Sequence, residues 1–167
     1  NRRHLRARGE PGDGVRVRRW YDPFLSVESG PRGPADPAAA GEELEPLLRT
    51  AVRERLVSDV PLGCFLSGGV DSTAVVAAAR AEGASPETLT IAFAGGDDES
   101  REASATAARL GLPHRREECT AGEMLATVAA WPRLAADPFA DPSLAPTWVV
   151  SRRARERWTV ALSGDGG

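Results

Sequence analysis

The chain has 167 residues, of which 41% are hydrophobic, and it carries a formal net charge of −3 with a pI of about 5.5. That length suits one domain with a single core, able to bury roughly two thirds or more of its unfolded surface. The acidic balance argues against a general nucleic-acid binder, and without an apolar run of membrane-spanning or signal-peptide type we expect a cytoplasmic protein with no membrane partner.

The first forty residues are expected to precede the folded domain. Residues 1–20 are rich in arginine, which favours a solvated linker or hairpin over the alternatives of an RNA-binding arm or a transit peptide. Between Gly30 and Ala40 the chain is rich in Pro, Gly and Ala, a composition typical of a linker. The domain proper is therefore predicted to span residues 41–167. Because the chain starts with Asn1 and its single methionine is Met124, we also expect it to be a fragment of a longer protein.

Helical and strand-like patterns alternate from residue 42 onward. The helical spacing of leucines and Val52 predicts an amphipathic helix over 42–58, and the apolar run from Leu62 to Leu66 predicts a buried strand. Further helices are predicted over 72–82, 99–110, 121–131 and 143–157, and further strands over 88–93, 114–119 and 159–162. Such alternation predicts an α/β fold with a doubly wound parallel sheet, covered by helices on both faces. The loops that follow the first, second and fourth strands should then share one crevice at the carboxyl ends of the strands.

The octet Leu-Ser-Gly-Gly-Val-Asp-Ser-Thr at 66–73 lies between the first strand and the next helix. Backbone N–H groups of such a loop, together with the positive end of the helix, attract an anion. Gly68 and Gly69 permit positive φ and close approach. Asp71 is a carboxylate beside the expected phosphates, so it needs a divalent cation between them, and oxygen ligands suit Mg²⁺. Hydroxyl donors are offered by Ser67, Ser72 and Thr73. The octet therefore predicts a site for Mg²⁺ and a polyphosphate.

Two common phosphate-binding loops are excluded. A Walker A loop requires a lysine that reaches the phosphates, and the chain contains no lysine. The G-x-G-x-x-G turn of dinucleotide-binding folds is also missing after every apolar run. Cys64 and Cys119 fit reduced thiols better than a disulfide or a metal pair, and His4 and His114 form no ligand cluster.

The octet resembles the SGGxDS pyrophosphate loop of the ATP pyrophosphatases. Four further segments of the chain are similar to the synthetase domain of one family in that group, the glutamine-hydrolysing asparagine synthetases. Other SGGxDS enzymes share only the first loop, so the combination is specific. Trp20–Pro23 resembles the family motif [YW]-[YW]-D-P, and Arg55–Gly63 resembles RL-x-SDVP-x-G. Asp137–Ser143, followed by Pro146, Thr147 and Ser151, is similar to the family segment DEPFADPS, and Val160–Gly167 is similar to VALSGDGGDE. The fold implied is a doubly wound parallel sheet of the adenine nucleotide α-hydrolase-like type, truncated at the C-terminus.

The resemblance implies a role for each matching position. Leu66 and Ile91 would lie around adenine, and Ser163 and Gly164 would complete the nucleotide pocket. Asp165 would be a catalytic carboxylate that helps the aspartyl-adenylate form. Pyrophosphate and Mg²⁺ would be held by Ser67, Gly68, Gly69, Asp71 and Ser72, with Asp71 as both the metal ligand and a catalytic residue.

Two positions near the fifth predicted helix, over 143–157, keep two interpretations. Asp141 and Ser143 either contribute to a pocket for the acceptor substrate or form a helix cap, with Ser143 before Leu144, and the cap is favoured. Ala136 stands where the resembling segment usually has aspartate.

The activity implied is the synthesis of asparagine from aspartate and ATP, with ammonia from glutamine, through β-aspartyl-AMP and release of pyrophosphate. A glutaminase domain upstream in the same polypeptide would supply the ammonia, and this chain would carry only the ATP-binding half. Because the chain ends before the family's Asp-Glu pair and lacks its downstream lysine, we expect the isolated chain to be inactive. Two alternatives stay open: a related amidotransferase or cyclase that acts on another carboxylate, as β-lactam synthetases do, and a non-catalytic ATP-binding fragment.

Overall fold

The computed structural model describes residues 33–34, 36–93, 99–134 and 141–164, which contain five helices and four strands. The helices are α1 (Pro37–Arg55), α2 (Val70–Ala81), α3 (Glu99–Leu110), α4 (Ala121–Leu134) and α5 (Leu144–Arg155). The strands are β1 (Leu62–Phe65), β2 (Glu87–Phe93), β3 (His114–Cys119) and β4 (Val160–Leu162). Contacts divide the chain into the units Asn1–Ala40 and Gly41–Gly167, and all of these elements except the first turn of α1 belong to the second unit.

Helix α1 begins earlier than predicted, at Pro37 instead of residue 42. The carboxylate of Asp36 accepts hydrogen bonds from the N–H groups of Ala38 (3.4 Å) and Ala39 (3.3 Å), as an N-cap does. Proline is well suited to the first helical position, and alanine has the highest helix propensity. The end of the predicted linker is therefore helical, because its prolines and alanines also suit a helix start.

The four strands form one parallel sheet with the order β3-β2-β1-β4. In the register, Phe65 pairs with Leu89 on one side of β1, and Cys64 pairs with Leu162 on the other. The chain adds β2 and β3 on one side of β1 and then returns to place β4 on the opposite side. The boundary between β1 and β4 is thus the point where the strand order reverses, which is where ligands bind in open α/β sheets.

Both faces of the sheet are covered by helices. On one face the core contains Cys64, Leu66, Val76, Ala103, Ala107 and Leu112, contributed by the sheet and by α2 and α3. On the other face Leu89, Ala154 and Trp158 pack with Phe65, Ile91, Val150 and Ala161, so this layer is built on α5. The predicted doubly wound parallel sheet is confirmed.

Trp158 packs against the amino-terminal half of β1. A Cβ placed on Gly63 would lie 2.2 Å from ring atoms of Trp158, so the indole rests directly on the strand backbone. The indole N–H donates to the carboxylate of Glu87 at the start of β2 (2.8 Å), and the ring lies 6.4 Å from that of Phe65. Trp158 therefore fixes the end of α5 to two strands. Within the described ranges, every helix is too short or too polar to cross a lipid bilayer.

Candidate functional site

A cleft of about 640 Å³ opens at the carboxyl ends of β1, β2 and β4. The loops after the first, second and fourth strands meet there, as the crevice rule predicts for such a sheet. Residues of the predicted site that line it are Leu66, Ser67, Gly69, Asp71, Ser72, Ile91, Ser163 and Gly164. Gly68 belongs to the same loop but packs against α3 instead of lining the cleft, and Asp165 lies outside the described residues.

The loop between β1 and α2 is held by hydrogen bonds within itself. The N–H of Ser67 donates to Ser72 Oγ (3.1 Å), and the N–H of Gly69 donates to Ser67 Oγ (3.1 Å). The two serine hydroxyl oxygens lie 2.9 Å apart. Ser72 is buried, with 7% of its surface exposed, whereas Ser67 is exposed in the cleft. These hydrogen bonds therefore tie the two serine side chains to the backbone of the loop.

The two glycines of this loop do not need positive φ, which corrects one part of the prediction. Among the described residues positive φ occurs at Gly83 and Gly111, while Gly69 is extended, with φ −76° and ψ 157°. A Cβ on Gly68 would lie 3.2 Å from both the Cβ and the carbonyl oxygen of Glu99. A side chain at position 68 would therefore push the first turn of α3 away by a few tenths of an ångström, so the other half of the reasoning, close approach, holds.

The loop after β4 rests on the first turn of α2. A Cβ on Gly164 would lie 2.6 Å from the backbone nitrogen of Ser72 and 3.0 Å from the Cβ of Asp71. Only glycine permits this contact without movement of the backbone, so Gly164 sets the distance between the two loops at the switch point.

The electrostatics of the cleft come from backbone amides and carboxylates. Helix α2 begins at Val70 without a side-chain cap, and the N–H groups of its first three residues have no acceptor within the helix, which makes this end attractive to an anion. Among the described residues that line the cleft none is basic, whereas Asp71 and Glu99 are acidic. A polyphosphate would therefore need a cation beside these carboxylates, and an exposed carboxylate oxygen such as that of Asp71 suits Mg²⁺. Among the described residues there is no group of three or more His, Cys, Asp or Glu side chains that could hold a metal ion.

The opposite part of the cleft is apolar. Phe65, Ile91 and Ala161 of the sheet face Pro146 and Val150 of α5 there. The carbonyl oxygen of Leu66 accepts a hydrogen bond from the buried hydroxyl of Thr90. Sequence reasoning placed only Leu66 and Ile91 in this region. The lining residues it missed are Phe65, Leu89, Thr90, Ala92, Phe93, Glu99, Ser100, Pro146, Thr147, Val150 and Ala161.

Some of the missed residues had a signal in the sequence. Phe93 ends the second strand, and the crevice rule places strand ends at the ligand site. The position of α5 over the sheet, which brings Val150 into the cleft, depends on tertiary packing and had no local signal.

Asp141, and not the side chain of Ser143, forms the hydrogen bond at the start of α5. The N–H of Ser143 donates to Asp141 Oδ1 (2.8 Å), and hydrogen bonds from the Ser143 side chain and backbone lower the pKa of Asp141. Ser143 occupies the N-cap position, as the favoured interpretation has it, and its side chain makes no capping hydrogen bond. Neither residue lines the cleft.

The side chains of Cys64, Cys119 and His114 are part of the packing and hydrogen bonding of the fold. Cys64 and Cys119 are buried and free of disulfides, and burial raises the pKa of Cys64 to about 11, far from that of a reactive nucleophile. His114 lies between the hydroxyls of Thr88 (2.9 Å) and Ser104 (3.1 Å), and burial lowers its pKa.

Comparison with known proteins finds a matching family model and several similar proteins. A family model described as asparagine synthase matches residues 43–167. A putative glutamine-hydrolyzing asparagine synthetase of Mycobacterium bovis is 36% identical over 126 residues, covering 75% of this chain and 19% of that protein. Glutamine-hydrolyzing asparagine synthetase 1 of Bacillus subtilis is 34% identical over 126 residues, covering 75% of this chain and 20% of its own length. Putative glutamine-hydrolyzing asparagine synthetase 2 of Methanocaldococcus jannaschii is 37% identical over 128 residues, covering 75% of this chain and 25% of that protein.

The chain spans about a fifth to a quarter of the length of these curated relatives. Among solved structures, NMN synthetase from Francisella tularensis is similar with a TM-score of 0.49 and 14% identity, covering 77% of this chain and 54% of that one.

Proposed function

Because the chain belongs to the asparagine synthase family, we propose that it carries the ATP-binding half of an enzyme that makes asparagine from aspartate. The activity would use ammonia from glutamine, pass through β-aspartyl-AMP and release pyrophosphate. The observation that carries the proposal is the cleft at the point where the strand order reverses. There an anion-attracting loop adjoins the apolar chamber, the part of the cleft lined by Phe65, Ile91, Pro146, Val150 and Ala161. A nucleoside triphosphate could place its flat base in the apolar chamber and its charged triphosphate at the anion-attracting loop.

The polar part of the cleft would hold the two outer phosphates of ATP. The unpaired N–H groups at the start of α2 and the hydroxyl of Ser67 supply donors there. Gly68 lets this loop lie close to α3. Together with Gly68, the residues Gly69, Asp71 and Ser72 would complete the phosphate site. Fixed donors of this kind stabilise the charge that develops on departing pyrophosphate without reorganisation.

The fit of Mg²⁺ to the site rests on the donor set. Two acidic residues and no basic residue line the described cleft, so a bound triphosphate requires a counter-cation. Asp71 would hold that ion, which when bound supplies charge neutralisation for the triphosphate. The role of Asp71 in this chain is to place a hard oxygen ligand beside the phosphates.

The apolar chamber would receive adenine. Ile91 would contact the base in this chamber, and Leu66, whose side chain lies in the layer under α2 and α3, would contact it through its backbone. Ser163 with Gly164 would border the nucleotide from the neighbouring strand. Asp165 follows these residues, and we propose it as the carboxylate that assists adenylation. The aspartate side-chain carboxylate would attack the α phosphate, the bond to pyrophosphate would break, and ammonia would then displace AMP.

The remaining parts of the reaction would come from regions that the longer relatives possess. The matched proteins are named glutamine-hydrolyzing, so we propose a glutaminase domain in the same polypeptide as the source of ammonia. We further propose that the protein works in the cytoplasm on small molecules, with no nucleic-acid or membrane partner, and that the isolated chain does not turn over.

Titration calorimetry on the chain tests the site. ATP with Mg²⁺ should bind at one site, and adenosine should bind weakly whether Mg²⁺ is present or not, because it reaches only the apolar chamber. Pyrophosphate should bind only with Mg²⁺. Absence of ATP binding in the presence of Mg²⁺ would refute the proposal.

Exchange of labelled pyrophosphate into ATP tests the chemistry in a polypeptide that also contains the regions present in the relatives. Aspartate-dependent exchange is expected. Exchange that requires another carboxylic acid would favour a cyclase or a different amidotransferase. Binding of ATP without exchange for any acid would favour a module that only binds the nucleotide.

A further inference from the structure

The serine pair formed by Ser67 and Ser72 lies at the wall of the loop between β1 and α2. Three oxygen atoms surround Ser72 Oγ: Ser67 Oγ at 2.9 Å, the Gly69 carbonyl at 3.2 Å and the Ser67 carbonyl at 3.3 Å. The same hydroxyl accepts the N–H of Ser67 at 3.1 Å. Since a hydroxyl has one hydrogen and two lone pairs, these loop groups take its only hydrogen and at least one of its lone pairs.

Ser67 differs from Ser72 in its surroundings. Ser67 is exposed in the cleft, whereas Ser72 is 7% exposed. One lone pair of Ser67 Oγ accepts the N–H of Gly69, and its single hydrogen is free to point either to Ser72 Oγ or into the cleft. Only one member of the pair can therefore direct its O–H to a ligand without breaking the bonds that shape the loop.

We propose that Ser72 acts on a bound pyrophosphate group through Ser67. With the loop occupied, the Ser72 O–H donates to Ser67 Oγ, and the Ser67 O–H donates to a phosphate oxygen. Hydroxyls that donate in one direction polarise each other, so the second bond strengthens the first. Ser67 then contacts the ligand with its side chain, while the hydroxyl of Ser72 is a positioning group. This inference rests on the proposed function, because it requires a pyrophosphate-bearing ligand in the loop.

A double-mutant cycle on the chain tests the serine pair, with the dissociation constant of magnesium pyrophosphate as the readout. Ser67→Ala and Ser72→Ala should each weaken binding about tenfold, since each removes a hydrogen bond that serves a charged ligand. If Ser72 acts through Ser67, the double variant should bind only about tenfold more weakly than the parent chain, as Ser67→Ala does alone. Independent contacts would instead give a loss of about a hundredfold.

Two further variants separate positioning from a general loss of structure. Ser72→Thr keeps the hydroxyl and should restore most of the affinity, whereas Ser72→Cys offers a weak donor of similar size and should not. Ser151→Ala removes an exposed serine of α5 and should leave the dissociation constant unchanged. Melting temperatures recorded in parallel show whether each variant folds, and the cysteine variant replaces Ser72→Ala in the cycle if the alanine variant does not.

The outcomes distinguish the serine pair from the function on which it rests. Additive losses in the cycle, or parent-like affinity in Ser72→Ala, would overturn the action through Ser67 and leave the nucleotide site in place. Failure of the parent chain to bind both magnesium pyrophosphate and ATP would overturn the proposed function and the serine pair together.

Discussion

Replacing Gly164 with alanine should weaken nucleotide binding while the fold survives. The new Cβ would lie 2.6 Å from the backbone nitrogen of Ser72 and 2.8 Å from the carbonyl carbon of Asp71. An ordinary contact begins at 3.4 Å, so the loop after β4 and the first turn of α2 must move apart by about 0.8 Å. Both contacting atoms belong to the backbone, and no side-chain rotation can relieve the clash.

The magnitude depends on the size of that movement. Misplacement by about 1 Å can cost a catalytic constellation on the order of 10²-fold in rate. With a similar displacement in the ATP-binding loop we expect ATP affinity to fall by about tenfold to a hundredfold. Overpacking of this kind should also lower the free energy of unfolding by about 1–3 kcal/mol. Calorimetry with ATP and Mg²⁺ measures the first quantity, and urea unfolding measures the second.

Gly122 offers a matched control for the Gly164→Ala variant. The Cβ of an alanine at position 122 would meet Thr120 Oγ1 at 3.8 Å, an ordinary contact near the start of α4. Gly122→Ala should leave ATP affinity unchanged and raise the free energy of unfolding by up to about 1 kcal/mol. If Gly164→Ala instead matched the parent chain in both affinity and unfolding, the loop after β4 could not rest on the first turn of α2.

Four other measurements address separate parts of the molecule. Gly63→Ala forces a Cβ to within 2.2 Å of the Trp158 ring and should destabilise the fold by at least about 3 kcal/mol in urea unfolding, unless the strand and the indole separate. Asp71→Asn should remove the Mg²⁺ dependence of pyrophosphate binding without changing the melting temperature, because Asp71 is exposed; retained Mg²⁺ dependence would reject it as the metal ligand. Burial lowers the pKa of His114, so the unfolded state binds the proton more readily and stability should fall as the pH drops below about 6.5; His114→Gln should flatten that part of the profile. Cys64, whose pKa burial raises to about 11, should react with a thiol reagent only after unfolding, and rapid labelling of the native chain would contradict its placement.

Much of the fold could be read from periodicity. The predicted limits of α3 and β3 agree with the structure, because the acidic start of α3 and the Gly111 turn that ends it are local signals. The start of α1 could not be placed, since a Pro- and Ala-rich run is compatible both with a linker and with the first turn of a helix. Whether such a run is helical depends on the cap that Asp36 provides.

The phosphate side of the candidate site was also predictable, because its residues are contiguous in the chain and follow one strand. The apolar chamber was not, because its wall is built by residues far apart in sequence: Phe65, Ile91, Val150 and Ala161. The reason for Gly68 could be given only in part. Local rules favour positive φ at such a glycine, whereas the structure shows negative φ and a close approach of Glu99 from another helix.

The division of the cleft into two chambers follows from the doubly wound sheet itself. Consecutive residues of a strand point to opposite faces, so Phe65 joins the core layer under α5 while Leu66 joins the layer under α2 and α3. The loop that continues from Leu66 therefore lies on the side of α2, where unpaired N–H groups attract phosphate, and the opposite side stays apolar. Because different helices cover the two faces, substitutions at Val150 can alter the apolar chamber without a direct contact to the phosphate loop.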